Sequence, residues 1–422
     1  MYNSLYWTDE LDYDFVKRTF RIFGEGYTSA KIVDAWAKKG NHYGIPRQWA
    51  KDRRMPGADK TILAPVKWPK FKASYKYNQK ECCDVIEQAL LNKYGALLES
   101  PTGWGKTVAA LEIASRMGQR TLVLVHKQDL IKQWAKAAKD FFGLSCGRIQ
   151  QDKWDFDHNV SVGMVQTLKS RELSEDFVNS FGMIIVDEGH RTPCDTICSV
   201  IAELPARYRL GVSATWRRPD KLDNLWHWHI GNIEAKGKRP KLPAVYFQIG
   251  VDCDMSDVQY TRSERINHSA MVTAIAQNRT YNDQVIVEIR EAMKSGRNIL
   301  VVSHRIEQLE YFFKKIPGSG MYVGSLKGNT LSGEALEQAA KKQVVLATFK
   351  KVEEGTDIPR LDTLLLATPC TDPEQVIGRV ARDYPDKKKI VIVDFIAKTG
   401  YNYALANKRK KRYEILGISK GE

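Results

Sequence analysis

The stretch Ala96-Leu97-Leu98-Glu99-Ser100-Pro101-Thr102-Gly103-Trp104-Gly105-Lys106-Thr107 decides how the rest of the chain reads. A short apolar strand runs into a glycine loop, and a helical pattern opens at Lys106. Strand, loop ending in Gly-Lys-Thr, and helix, in that order, make a phosphate cradle. Gly103 and Gly105 let backbone N–H groups approach phosphate oxygens without a Cβ in the way. A helix starting near Lys106 turns the positive end of its dipole toward the anion. Lys106 is placed to reach the β- and γ-phosphates, and Thr107 to set its hydroxyl on Mg²⁺. Pro101, Thr102 and Trp104 complete the loop. Two details stand out: Ser100 holds the first position in place of Gly or Ala, and a bulky Trp104 sits between the glycines.

Outward from this loop the pattern alternates strands and helices. Thr121–Val125 (TLVLV), Val160–Val165, Met183–Val186 and Arg209–Val212 are apolar runs of strand length separated by polar or helical segments. That rhythm predicts a parallel sheet covered on both faces. It repeats later in Ile299–Val302, Val344–Ala347, Thr363–Ala367 and Ile390–Val393. Between the two sets, residues 216–241 are polar and basic, so a junction is expected near residue 240. The expected organisation is a small basic accessory segment (1–72), two α/β domains (73–240 and 241–405) and a basic tail (406–422).

The accessory segment reads as mostly helical. A first helix is expected over Asp14–Phe23. A second, capped by Thr28-Ser29, would carry Ile32, Val33 and Trp36, and a third would open at Pro46. Residues 55–72, with Pro56, Pro65 and Pro69, read as a linker or edge strand.

A second constellation lies at Met183-Ile184-Ile185-Val186-Asp187-Glu188-Gly189-His190. An apolar strand ends in two adjacent carboxylates. Asp187 is suited to hold Mg²⁺ and Glu188 to orient and deprotonate an attacking water. His190, Cys194 and Cys198 recur every four residues, but Pro193 interrupts that run and a fourth zinc ligand is missing, so packing is the better reading. Trp226-His227-Trp228-His229 reads as half-buried packing at a domain edge.

The formal charge is +15, and it is unevenly spread. Residues 1–37 carry four Lys/Arg and six Asp/Glu, whereas residues 38–72 carry ten and two, interleaved with Tyr43, Trp49, Trp68 and Phe71. Lys408-Arg409-Lys410-Lys411-Arg412 forms a second basic cluster. Such clusters favour a polyanionic partner, because neutralised phosphates release counterions. No apolar run approaches the roughly 20 residues of a membrane helix. The opening MYNSLYWTDELDYD does not read as a secretory signal. Seven scattered cysteines suit reduced thiols in a cytosolic protein.

With both elements in place, residues 75–400 resemble a superfamily 2 helicase. Further motifs follow in the family's order. Tyr77-Asn78-Gln79 stands where these enzymes read adenine, through Gln79. Val125-His126 and Gln166-Thr167 stand where the first domain touches the nucleic-acid backbone. Ser213-Ala214-Thr215 matches the coupling motif, to which His190 and Gln375 also belong. Its continuation Trp216-Arg217-Arg218-Pro219-Asp220 matches XPB-like and phage branch-migration helicases, the latter of the phage T5 type. In the second domain Ser303-His304-Arg305 and Thr348 fall at nucleic-acid motifs, Gly355-Thr356-Asp357 at a nucleotide motif, and Gln375-Val376-Ile377-Gly378-Arg379-Val380-Ala381-Arg382 at the arginine-finger motif.

The resemblance implies an α/β fold of two tandem RecA-like parallel-sheet domains with a small N-terminal domain. It implies ATP and Mg²⁺ as cofactors. Arg379 and Arg382 would stabilise charge on the γ-phosphate, and Arg218 would face the nucleic acid. The DEGH box and the R-x-D extension point to DNA, forked or branched, rather than RNA. A monomer in the cytoplasm (the host's, if phage-encoded) is expected, with no membrane partner. Trp216, Trp226 and Trp228 are candidates for a strand-separating wedge.

Overall fold

The computed structural model describes residues 1–24, 31–101, 103–189, 194–217, 220–238, 243–253, 267–326, 329–355, 358–382 and 384–421. They form two compact units, Met1–Arg239 and Pro240–Glu422. No described helix is long and apolar enough to cross a membrane.

The first unit is built on an eight-stranded sheet. Its order is Ile233–Lys236, Gly95–Glu99, Tyr208–Ser213, Met183–Asp187, Thr121–Val125, Val160–Met164, Gly147–Gln150 and Lys153–Trp154. All pairings are parallel except the last, a hairpin. The period-2 pattern explains why both faces are covered. Ala96, Leu98, Val123, Val125, Met183 and Ile185 enter one core with the helices Gln79–Lys93, Lys106–Met117 and Gln128–Phe142. Leu97, Leu122, Leu124, Ile184 and Val186 enter the other, with Cys194–Glu203 and Asn224–His229. Parallel strands joined by crossovers send all their C-terminal ends to one edge, where ligands of open α/β sheets collect.

The N-terminal segment packs into the second of these cores. Val16, Phe20, Ile45 and Trp49 join Leu222, Leu225, Trp226 and Ile230 there. It is not mostly helical. Helices form at Tyr13–Phe20, capped by Asp12, and at Arg47–Asp52 behind Pro46. The expected middle helix is instead the strand Lys31–Asp34, antiparallel to Arg21–Gly24. The β-branched pair Ile32 and Val33 alternates exposed and buried, a strand's period rather than a helix's. Arg21 clamps Asp34 across that ladder with two hydrogen bonds of 2.7 and 2.8 Å. The expected cap Thr28-Ser29 lies outside the described residues. A three-stranded antiparallel sheet (Tyr6–Thr8, His42–Ile45, Ala37–Lys39) completes the segment. Residues 55–72 form no strand; single bridges join Ile62 to Ala206 and Pro65 to Gln119, and Trp68 and Phe71 pack against the core of the unit.

The second unit carries a seven-stranded, all-parallel sheet. Its order is Gly320–Tyr322, Val344–Thr348, Ile299–Ser303, Thr363–Leu366, Ile390–Ala397, Ala244–Val251 and Ser419–Lys420. The basic cluster at 408–412 lies within the helix Gly400–Ile415, and the chain then returns to the sheet edge. Arg409 is buried and its guanidinium pairs with Asp394 at 2.8 Å, so part of this cluster is internal counter-charge.

Candidate active site

Ser100 follows directly from the strand Gly95–Glu99, and its N–H donates to Ser213 O at 2.9 Å, which locks the loop to the neighbouring strand end. Gly103 and Gly105 take φ of 80° and 99°, the region that glycine adopts without strain. A Cβ on Gly105 would also stand 2.4 Å from Gln79 Nε2. The helix Lys106–Met117 begins immediately after, so its unpaired N–H groups face the loop.

Both odd features of the loop have structural reasons. Trp104 turns inward and is 1% exposed. Its indole donates to Asn78 Oδ1 at 3.1 Å and its carbonyl accepts from Gln79 Nε2 at 2.7 Å. Gly237 makes room for it: a Cβ there would meet Ser100 Cβ at 2.4 Å and the Trp104 ring at 2.7 Å. A small residue at position 100 is therefore required, and serine meets that need, although its buried hydroxyl has no hydrogen-bond partner among the described residues. Asn78 also accepts from Lys238 N at 2.7 Å and donates to Lys236 O at 3.1 Å. Gln79 additionally accepts from Lys76 N at 2.7 Å, so the residue expected to read adenine is tied to the loop backbone.

Asp187 ends the strand Met183–Asp187, and Glu188 follows at φ 48° with its N–H bonded to Val212 O. This left-handed turn is uncommon for a non-glycine residue and swings Glu188 out of the sheet. Gly189 next to it faces the Trp216 and Trp226 rings, which a Cβ would meet at 3.0 and 3.1 Å. Lys106 Nζ lies 3.2 Å from Glu188 Oε1 and donates to Ser100 O at 3.2 Å. Burial, then the neighbouring Glu188, push the Asp187 carboxyl above the usual carboxylate range, while the Trp134 indole and Lys106 pull it back.

Two residues that the motif reading missed touch this site. Trp134 Nε1 donates to Asp187 Oδ2 at 2.8 Å, and Gln133 Nε2 donates to Thr107 Oγ1 at 3.0 Å. The helix that carries them read only as a sheet crossover; a Gln-Trp pair has no spacing that marks it. The hard oxygens of Thr107 and Asp187 fit Mg²⁺, and the glycine loop with the Lys106 ammonium fits a polyphosphate.

The remaining motifs of the first unit lie at the same strand ends. Gln166 Nε2 donates to His126 O at 3.4 Å, and Thr167 Oγ1 accepts from Gln151 N at 3.3 Å. Ser213 Oγ donates to Thr215 O at 2.7 Å, and Thr215 Oγ1 accepts from Arg217 N at 3.1 Å. Trp216 and Trp226 are buried against each other, with ring centroids 5.5 Å apart, so neither can act as an exposed wedge. Thr102, His190, Arg218, Pro219, Thr356 and Asp357 lie outside the described residues, as does the side chain of Cys194.

In the second unit Ser303 Oγ accepts from Arg305 N at 3.0 Å, and His304 stacks on Phe349 at 4.2 Å. Arg305 donates to Thr273 and Ser269. Thr348 Oγ1 accepts from Lys351 N at 3.3 Å at the head of the helix Phe349–Gly355. Arg379 Nη2 reaches Glu353 O at 3.0 Å, which ties the two motif segments together. Gln375 sits one turn earlier on the helix Glu374–Val380. Lys387 Nζ donates to Val380 O at 2.6 Å and Arg382 O at 2.8 Å, and so fixes the turn that carries Arg382. Sequence reading missed Lys387, the first of three consecutive lysines in a basic chain.

Comparison with known proteins agrees with this geometry. Residues 72–218 match the family model described as type III restriction enzyme, res subunit. The chain is 25% identical over 423 residues to a protein of Acanthamoeba polyphaga mimivirus provisionally named an ATP-dependent RNA helicase, covering 96% of this chain and 80% of that one. It is 25% identical over 377 residues to a provisionally named helicase of Escherichia phage T5, covering 87% of this chain and 81% of that one. Among solved structures, the helicase domain of Pyrococcus furiosus Hef shares the fold, with a TM-score of 0.52, 16% identity, and coverage of 79% of this chain and 99% of that one. Residues 72–218 thus match the res-subunit model of type III restriction enzymes, and the chain is similar over most of its length to viral and phage proteins named as helicases, which is consistent with superfamily 2.

Proposed function

We propose that this chain is an ATP-dependent superfamily 2 helicase that acts on forked or branched DNA, remodelling forks and migrating junctions. The observation that carries the motor reading is the pairing of Lys106 with Glu188 at 3.2 Å, which brings the phosphate loop and the acidic strand end into one site. In this reading Lys106 and the loop N–H groups bind the phosphates. Gln79, Gly355 and Asp357 complete the nucleotide's surroundings. Thr107 and Asp187 would hold Mg²⁺, which would supply positive charge against the phosphates. Glu188 orients the attacking water and takes its proton. Arg379 and Arg382 meet the charge that develops on the γ-phosphate. His126, Gln166, Thr167, Ser303, His304, Arg305 and Thr348 grip the nucleic-acid backbone, and Ser213, Thr215 and Gln375 couple that grip to hydrolysis.

The R-x-D extension after Thr215, which resembles that of phage branch-migration helicases, favours branched DNA. The mimivirus relative, named for RNA, supports a second reading as an RNA helicase. Mg²⁺-dependent ATP hydrolysis measured with fork DNA, Holliday junctions, linear duplex and RNA separates them. Strongest stimulation by junctions and forks, with unwinding of both, is expected. Stimulation by RNA alone would reverse the assignment, and binding without hydrolysis would leave only a nucleic-acid binding protein.

A further inference from the structure

The helix Gln128–Phe142 does more than cover the sheet. Two consecutive residues on it each end on a different side chain of the nucleotide site. The Trp134 indole donates to Asp187 Oδ2 at 2.8 Å, and the Gln133 amide donates to Thr107 Oγ1 at 3.0 Å. Neighbouring helix positions point about 100° apart, so one residue can enter the core while the other stays at the rim. Trp134 is fully buried, and Gln133 is exposed.

The chemistry of each bond is one-directional. An indole N–H donates and cannot accept, so Trp134 always takes up a lone pair on the same carboxylate oxygen. Its ring lies in the same buried core as Ile131, Ala138, Val125 and Ile185, and close packing there leaves the direction of that N–H little freedom. A hydroxyl has two acceptor sites and one proton. When Gln133 occupies one acceptor site of Thr107, the other remains for a cation, and the hydroxyl is held from rotating away.

We propose that Trp134 and Gln133 are positioning residues that aim Asp187 and Thr107 at the divalent cation of the nucleotide complex. This rests on the nucleotide-site reading above and adds to it a layer of groups that touch neither nucleotide nor metal. Partners of metal ligands typically contribute about 10- to 100-fold in metal affinity or activity.

The test uses the full chain and a fluorescent ADP analogue, with binding measured across a Mg²⁺ titration and again in EDTA. In Trp134→Phe, which keeps an aromatic ring and removes the donor, half-maximal Mg²⁺-supported binding shifts to about 10-fold higher Mg²⁺. Binding in EDTA stays at the parent value, because Lys106 and the glycine loop are unchanged. Gln133→Ala, an exposed substitution with little bearing on folding, shifts the titration in the same direction. Thermal unfolding checks that each variant is folded. A loss of stability with an unchanged Mg²⁺ titration is what a purely structural role predicts, and it would overturn the proposal. If Trp134→Phe does not fold, Gln133→Ala decides alone: an unchanged titration rejects the proposal. If the parent chain binds no ADP at any Mg²⁺ concentration, the nucleotide-site reading itself fails, which is a different result from normal binding in the parent with unshifted variants.

Discussion

Lys106 and Glu188 form an ion pair of 3.2 Å, with side chains 10% and 22% exposed. In this pairing the cation proposed to bind phosphate is held by the carboxylate proposed to activate water. A γ-phosphate would compete for the same ammonium and release Glu188 toward the attacking water. The two residues should therefore separate binding from chemistry when changed. Lys106→Ala is expected to lose both nucleotide affinity and turnover. Glu188→Gln is expected to keep affinity and lose about 10²-fold or more in kcat. Nucleotide binding and single-turnover phosphate release, measured side by side, check the split.

Arg379 and Arg382 lie on and just beyond the helix Glu374–Val380, and Lys387 fixes the turn through the carbonyls of Val380 and Arg382. Replacement of either arginine by alanine should lower kcat by about 10³-fold with nucleotide binding little changed. Lys387→Ala leaves both guanidiniums present but loosens their support, so a smaller loss, about 10-fold, is expected. Steady-state ATPase kinetics read all three. An unchanged kcat in both arginine variants would remove them from the reaction.

Most of this architecture was legible in the sequence because the signals were local. Each strand expected from an apolar run, from Thr121–Val125 to Ile390–Val393, forms in the sheets, and Asp187 stands at a strand end. What escaped was tertiary. Ile32 and Val33 looked helical beside Trp36, but the Arg21–Asp34 clamp and the buried Val33 belong to a strand. Trp104 had no reason in sequence, because Gly237 and Asn78, which accommodate it, lie far off along the chain. Gln133 and Trp134 carried no motif; only the folded crossover helix brings them to Thr107 and Asp187.

His229 introduces a pH dependence in the first unit. Its ring is buried, and burial, then the charges of Arg209 and Arg47, lower its pKa from 6.5 to about 3. A lowered pKa in the folded state means stability present above pH 6.5 and lost as pH falls toward 3. Within that window each unit costs about 1.4 kcal/mol. His229→Phe should flatten the decline of the unfolding midpoint between pH 6.5 and 4. An identical slope in parent and variant would show that other groups dominate acid sensitivity.

The cluster Lys408-Arg409-Lys410-Lys411-Arg412 should divide by burial, not by charge. Arg409 pairs with Asp394, donates to Cys370 O at 2.9 Å, and lies beside Tyr413, whose hydroxyl also reaches Asp394. Arg409→Ala leaves a buried carboxylate uncompensated and should cost about 3–5 kcal/mol. Lys408→Ala, Lys410→Ala and Lys411→Ala, all at exposed positions, should each stay within about 0.5 kcal/mol. Urea unfolding of the four variants distinguishes a structural arginine from a nucleic-acid contact.

The basic segment 38–72 calls for substitutions rather than truncation. Val16, Phe20, Ile45 and Trp49 share a core with Leu97, Ile184 and Trp226, so deletion of residues 1–72 would expose that core and confuse folding with binding. Arg47 is equally unsuitable, since it donates to the carbonyls of Asn3, Ala206 and Arg207 and acts as a structural tie. Lys38, Lys39, Lys67, Lys70 and Lys72 are exposed and can lose charge without loss of packing. If they meet phosphates, each neutralisation to Gln should make the log K against log salt plot shallower by about 0.9 on duplex or about 0.7 on single strands. Affinity should then fall most at low salt, where counterion release contributes most. A slope equal to the parent's across all five variants would mark this face as solvated and move the proposed nucleic-acid surface elsewhere on the chain.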